Sequence, residues 1–182
     1  MIGKEKGLSL IEVMIGILFF SVISLSVYDH YNRSAEQHYI NNISIVMCRY
    51  ADALSYYLQE DDKVNNSSVS LSELVSSGYL PSMPEGASVG GYKIKMYVDN
   101  KDNGLIALYG DEHYSLTIKS MKPFLGIRGA SVEGDKIIST GGYYSLPVSG
   151  FTNFSTDNLR GLMLIPSIQT SGQNCDRGGY DF

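Results

Sequence analysis

Gly7-Leu8-Ser9-Leu10-Ile11-Glu12 joins a short basic leader, Met1-Ile2-Gly3-Lys4-Glu5-Lys6, to an apolar run that continues to Tyr28. From Leu8 to Tyr28 the only charged side chain is Glu12. These 21 residues are enough to cross a bilayer as a helix, which takes about 20. Lys4 and Lys6 fit retention of the leader in the cytoplasm. A secretory signal peptide has a shorter apolar core and then a small-residue cleavage site. Neither pattern is present, and the run passes directly into an amphipathic segment. An ordinary single-pass anchor accounts for the hydropathy but not for Glu12. A carboxylate in hydrocarbon costs about 3 kcal/mol even on lenient insertion scales. If the chain is cut after Gly7, Leu8 gains a cationic amine. Helices packed with an axial offset then bring the Glu12 of one copy beside the Leu8 amine of another, which neutralises both and sets the stagger. The alternatives for Glu12 are a protonated carboxyl or one that snorkels to the interface.

The helical pattern continues past Tyr28. Tyr28, Tyr31, Ala35, Tyr39, Ile43, Val46, Tyr50, Leu54 and Tyr57 recur at spacings of three and four, and Asn32, Arg33, Glu36, Asn41, Asn42, Arg49 and Asp52 fill the gaps. No Pro or Gly lies between Ile17 and Glu60. One helix from about Ser9 to Gln59 is expected, roughly 75 Å long at about 1.5 Å per residue. Opposite charges do not flank the stripe in heptad fashion, so packing on a sheet is preferred to a coiled-coil stalk.

The Gly7-to-Glu12 segment resembles the signal of type IV prepilins, with its basic leader, glycine, apolar run and glutamate five residues after the glycine. The resemblance implies that a dedicated prepilin peptidase cuts after Gly7 and methylates the Leu8 amine, and that Glu12 is the assembly carboxylate. Leu8 stands where the type IVa group normally has Phe, and Asp29 where many of those proteins have a kinking Pro. Both departures point to type IVb, although type IVb leaders are often longer. The implied fold is α+β, the type IV pilin fold, with a long N-terminal helix packed on an antiparallel β-sheet domain. The expected divisions are a leader over 1–7, a transmembrane and filament-core helix over 8–28, the amphipathic half of the helix over 29–60, and a globular domain with its tail over 61–182.

Beyond the polar loop that follows Gln59, Ser70 and Glu73 form a capping-box pattern for a short helix that Gly78-Tyr79-Leu80-Pro81 ends. Tyr92 to Val98 alternates as a strand with Tyr92, Ile94, Met96 and Val98 on one face. Asp99 to Gly104 is its hairpin loop and Leu105 to Tyr109 the return strand. The loop's acidic residues do not have calcium-loop spacing, so it reads as a plain turn. His113 to Lys122 fits a strand or a helix. Lys136 to Ser139 and Tyr143 to Leu146 read as strands, and Leu162 to Ile165 as a buried edge strand. The order of these segments is similar to that of shufflon-type minor pilins of type IVb systems, through Leu74…Gly78-Tyr79-Leu80 and Gly126…Gly129…Gly134. That similarity implies a helix around His113 to Phe124 and a minor, tip-associated and often adhesive subunit.

The chain has 182 residues, 43% hydrophobic and 18% charged, with 14 Tyr, 19 Gly and a net charge of -5. That balance disfavours disorder, and the net charge disfavours non-specific nucleic-acid binding. Cys48 and Cys175 lack zinc spacing; in an exported chain they are expected to form one disulfide. No catalytic motif accompanies His30, His38 or His113, so no enzyme, cofactor or metal is expected. The leading expectation is a structural pilus subunit with pilin copies, the prepilin peptidase and an inner-membrane assembly platform as partners. It would cross the inner membrane once through residues 8–28 and then enter an extracellular filament. The alternatives are a pseudopilin of a type II secretion system, and an adhesive module presenting Tyr143, Tyr144, Phe151 and Phe154 to a glycan or surface receptor; buried aromatics would return those four to the core.

Overall fold

After Gly16 no glycine or proline interrupts the chain before Glu60, and a single helix, α1, runs from Leu10 to Gln59. The computed structural model describes residues 10–59, 68–80, 88–89, 91–110 and 116–167. The chain divides into a unit ending at Tyr39 and a unit beginning at Ile40. The stripe read from the sequence is split by that boundary. Ile43, Tyr50, Leu54 and Tyr57 are buried, whereas Tyr28 and Tyr31 are exposed. Ser44 and Ser55 are buried too, and the Ser44 hydroxyl donates to the Ile40 carbonyl at 2.8 Å, which satisfies it inside the helix.

The second unit comprises β1 (Ser68–Val69), α2 (Leu71–Ser76), β2 (Ser88–Val89), β3 (Tyr92–Val98), β4 (Gly104–Tyr109), α3 (Ile118–Met121), β5 (Ala130–Glu133), β6 (Lys136–Ser139), β7 (Ser145–Pro147) and β8 (Leu159–Ile165). The main sheet has the order β1-β3-β4-β8, with β2 also paired to β3. Every pairing in it is antiparallel. β5, β6 and β7 form a second antiparallel sheet. The fold is therefore α+β, with α1 packed on an antiparallel sheet.

Contacts assign the faces. A Cβ on Gly104 would meet Leu54 Cδ2 at 3.0 Å and Leu58 Cδ1 at 3.2 Å, so glycine is what lets α1 approach β4 this closely. By the two-residue alternation of strands, Ile106 and Leu108 share that face. The opposite face carries Tyr97, Leu105, Ala107, Leu162 and Leu164, packed with Ala130 and Ile137 of the second sheet and with Phe151. Both faces are thus covered over Leu105–Leu108 of β4 and Leu162–Ile165 of β8, which is why those stretches read as unbroken apolar runs rather than alternating ones. β8 lies at the end of the sheet order, as an edge strand, with Leu162 to Ile165 buried.

α2 forms as the capping pattern indicates, with one difference. Ser70 Oγ accepts from the Glu73 amide at 3.2 Å, but the Glu73 carboxylate accepts the Tyr57 hydroxyl at 2.7 Å, tying α2 to α1. Burial, reinforced by that bond, pushes the Tyr57 hydroxyl up to about 12. Gly78 ends the helix at φ 81°, a left-handed position that glycine takes without strain, while the Tyr79 and Leu80 amides both reach the Leu74 carbonyl.

The segment that fitted two periods is helical where it is described. Thr117 caps α3 through a capping box completed by Ser120, and a 3-10 turn continues over Lys122–Arg128. The expected helix over His113 to Phe124 therefore begins no earlier than Ile118 within residues 116–124, and ends as α-helix at Met121, one residue before Lys122-Pro123. His113 lies outside the described residues. The strand expected over Tyr143 to Leu146 starts later, at Ser145, because Gly141 and Gly142 take φ of 79° and 72° in a 3-10 turn that Tyr143 follows. Pro81 and the tail from 168 onward lie outside the described residues.

Candidate functional site

The first part of α1 presents an apolar surface all round rather than a stripe. Leu10, Ile11, Met14, Ile17, Leu18, Phe19, Phe20, Val22, Ile23 and Leu25 are all exposed, Leu10 by 77% and Phe20 by 72%. An all-round apolar helix is stable only in lipid or among other helices. By length and composition this one is able to cross a membrane. Two of its hydroxyls are satisfied within the helix, as a membrane segment requires: Ser21 Oγ donates to the Ile17 carbonyl at 2.8 Å and Ser26 Oγ to the Val22 carbonyl at 3.1 Å. Glu12 lies in the first described turn of α1. Asp29 and Arg33 pair at 3.0 Å one turn apart, marking the change to polar composition. Gly7 and Leu8 lie outside the described residues.

Cys48 is half-buried on α1 and carries a disulfide. Its expected partner, Cys175, lies outside the described residues. His30 and His38 are exposed on α1. Among the described residues no group of three or more His, Cys, Asp or Glu side chains is placed to hold a metal.

Of the four aromatics considered for a receptor surface, Phe151 is buried, and Tyr144 and Phe154 pack against the core shared by the two sheets. Phe154 meets Tyr97 edge-on, with centroids 5.6 Å apart. Only Tyr143 is exposed, by 74%. The four therefore do not form a common display.

Two polar constellations were not evident from sequence. Asp99 is buried in the hairpin: Oδ1 accepts from the Lys101 and Asn103 amides at 2.8 and 2.9 Å, and Oδ2 from Asn103 Nδ2 at 2.8 Å. Asn103 Oδ1 then accepts from the Ser167 amide, which fixes the exit of β8. The Asp99-to-Gly104 stretch signalled a turn but not its reach to Ser167, 64 residues on. Second, Arg128 Nη1 meets Asp52 Oδ1 at 2.8 Å, joining the 3-10 turn to α1. The separation of 76 residues hid that pair.

These features define a class: an α+β unit on a helix whose opening stretch is apolar on every side. Compared with known proteins, the chain matches no family model, no curated protein and no solved structure.

Proposed function

We propose that this chain is a structural subunit of a type IV pilus, of the minor, tip-associated type IVb kind, with no catalytic role of its own. The carrying observation is α1: an opening stretch with every large apolar side chain exposed and Glu12 in its first turn, continuous with a stretch whose stripe is buried under a sheet. In this reading the prepilin peptidase cuts after Gly7 on the cytoplasmic side and methylates Leu8. The inner-membrane platform then extracts the subunit, and the Leu8-to-Tyr28 segments bundle into a dry filament core. Each Glu12 meets the Leu8 amine of a neighbouring copy, so that neither charge is left bare in apolar surroundings. The subunit is a single-pass inner-membrane protein before assembly and extracellular afterwards.

Mass spectrometry of the mature protein from its native host tests the first step, with Leu8 expected as a methylated N-terminus. Retention of Met1 to Gly7 rejects the reading. In Glu12→Ala, cleavage and the thermal midpoint of the folded unit are expected to stay at wild-type values while the subunit disappears from sheared filaments. Normal incorporation of that variant rejects the neutralising pair.

A further inference from the structure

The face of the main sheet that packs on β5–β7 is covered only over part of its length. Tyr97, Leu105 and Leu164 lie under the second sheet, but the other end of the same face stays open. On β3, Lys93 and Lys95 point to this face with Tyr97 and are exposed; side chains two residues apart on a strand stand about 7 Å apart. Lys93 is directly opposite Tyr109 of β4. Lys95 Nζ sits over the Tyr109 ring, 5.3 Å from its centroid. Tyr109 in turn faces the start of β8, where the register shifts, and Arg160 Nε donates to the Gly110 carbonyl at 3.3 Å. One cation thus lies over the half-buried ring, a second stands opposite it in register, and a third is bonded to the carbonyl of the next residue.

The ring is rigidly held. The Tyr109 hydroxyl donates to the Ser155 carbonyl at 2.9 Å and stands 3.1 Å from the Tyr97 hydroxyl. Those bonds bring the exposed loop of Ser155, Thr156, Asp157 and Asn158 to the rim. Asp157 stands on that rim, where its carboxylate accepts the Ser155 hydroxyl at 2.9 Å. Among the described residues no carboxylate forms an ion pair with Lys93, Lys95 or Arg160. Among the described residues the three cations therefore lack a carboxylate partner, and the repulsion between like charges is relieved when an anion binds.

We infer that Lys93, Lys95, Arg160 and the Tyr109 ring form a binding surface for an acidic polysaccharide. The anion, carboxylate or sulfate, falls among the three cations, and a sugar ring lies against Tyr109 with its hydroxyls on the Ser155-to-Asn158 rim. A chain of net charge -5 with three local cations is poorly suited to the continuous phosphate track of a nucleic acid. Aromatic, hydroxyl and amide groups beside the cations suit a carbohydrate. This surface does not depend on how α1 is used.

The test uses the full-length chain in detergent micelles, with polygalacturonic acid, dextran sulfate, uncharged dextran and duplex DNA as probes in a biosensor assay. Binding of at least one acidic polysaccharide, and none of uncharged dextran, is expected; the tighter of the two names the anion. Lys93→Gln alone is expected to weaken binding about threefold, and Lys93→Gln/Lys95→Gln/Arg160→Gln at least tenfold. Lys119→Gln/Lys136→Gln, which removes two exposed cations elsewhere, is expected to change it less than twofold. Thermal melting checks that each variant is folded, and the single variant keeps the test decisive if the triple variant is not. Equal losses in the Lys119/Lys136 variant, no binding to either acidic polysaccharide, or tighter binding to duplex DNA each overturn the inference.

Discussion

At the scale of single residues, the buried polar groups decide which parts of the second unit are fixed. Asp99 is 4% exposed and takes three donors, two of them backbone amides. Removing a buried acceptor leaves its donors without partners, each at a cost of about 1 to 3 kcal/mol. Asp99→Ala is expected to lower unfolding free energy by about 3 kcal/mol in denaturant titration, with the relief that water brings to Lys101 at the turn's edge already allowed for. Asp99→Asn should fall between the two, because an amide retains one acceptor oxygen and turns its NH2 toward Asn103 Nδ2, donor against donor. Lys101→Ala, which alters an exposed side chain and keeps the amide, should stay within about 0.5 kcal/mol of wild type. An Asp99→Ala loss no larger than that of Lys101→Ala would show that the carboxylate does not organise the turn.

At the scale of elements, α1 is one helix by backbone and two by environment. Its stripe has the same spacing throughout, yet burial begins at Ile40. Leu54→Ala removes a fully buried side chain beside Gly104 and should cost about 2 to 5 kcal/mol. Tyr31→Ala removes a side chain that is 71% exposed and should leave the unfolding of the second unit within about 0.5 kcal/mol. Comparable losses for the two would mean that the stripe is buried along its whole length. The elements themselves were largely legible. An uninterrupted 3.6-residue period marked α1, alternation marked β3, and Ser70 with Gly78 bracketed α2. What was not legible had physical causes. Periodicity shows which residues want cover but not whether cover exists, so Tyr28 and Tyr57 look alike in the sequence. Short segments such as 116–121 satisfy both periods until a cap, here Thr117 with Ser120, selects one. Glu73 shows a local motif giving way to tertiary structure, its carboxylate drawn to Tyr57 instead of back to Ser70. The candidate site divides in the same way. Glu12 and the apolar run are contiguous and readable, whereas Lys93, Tyr109 and Arg160 meet only because β3, β4 and β8 pair in register.

At the scale of the whole molecule, the chain's connectivity depends on where its ends are held. Asn103 anchors the backbone at Ser167, and Cys48 on α1 carries a disulfide whose expected partner is Cys175. The chain has only one other cysteine, Cys175. The expected cross-link from 48 to 175 would close a loop of over 120 residues, and chain-entropy arithmetic assigns so long a loop about 4 to 5 kcal/mol. Its effect should be concentrated at the C-terminus, because the helix around Cys48 is already fixed by Met47, Tyr50 and Ala51, all buried. Reduction, or Cys48→Ser, is therefore expected to speed tryptic cleavage after Arg177, two residues beyond the cross-link, and to lower the thermal midpoint. The circular-dichroism helix signal at moderate temperature should be unchanged. Equal cleavage rates with and without reductant would show that the tail is held by its own packing. A loss of helix signal would show that the disulfide supports α1, so the two readouts separate a tether on the tail from a brace on the helix.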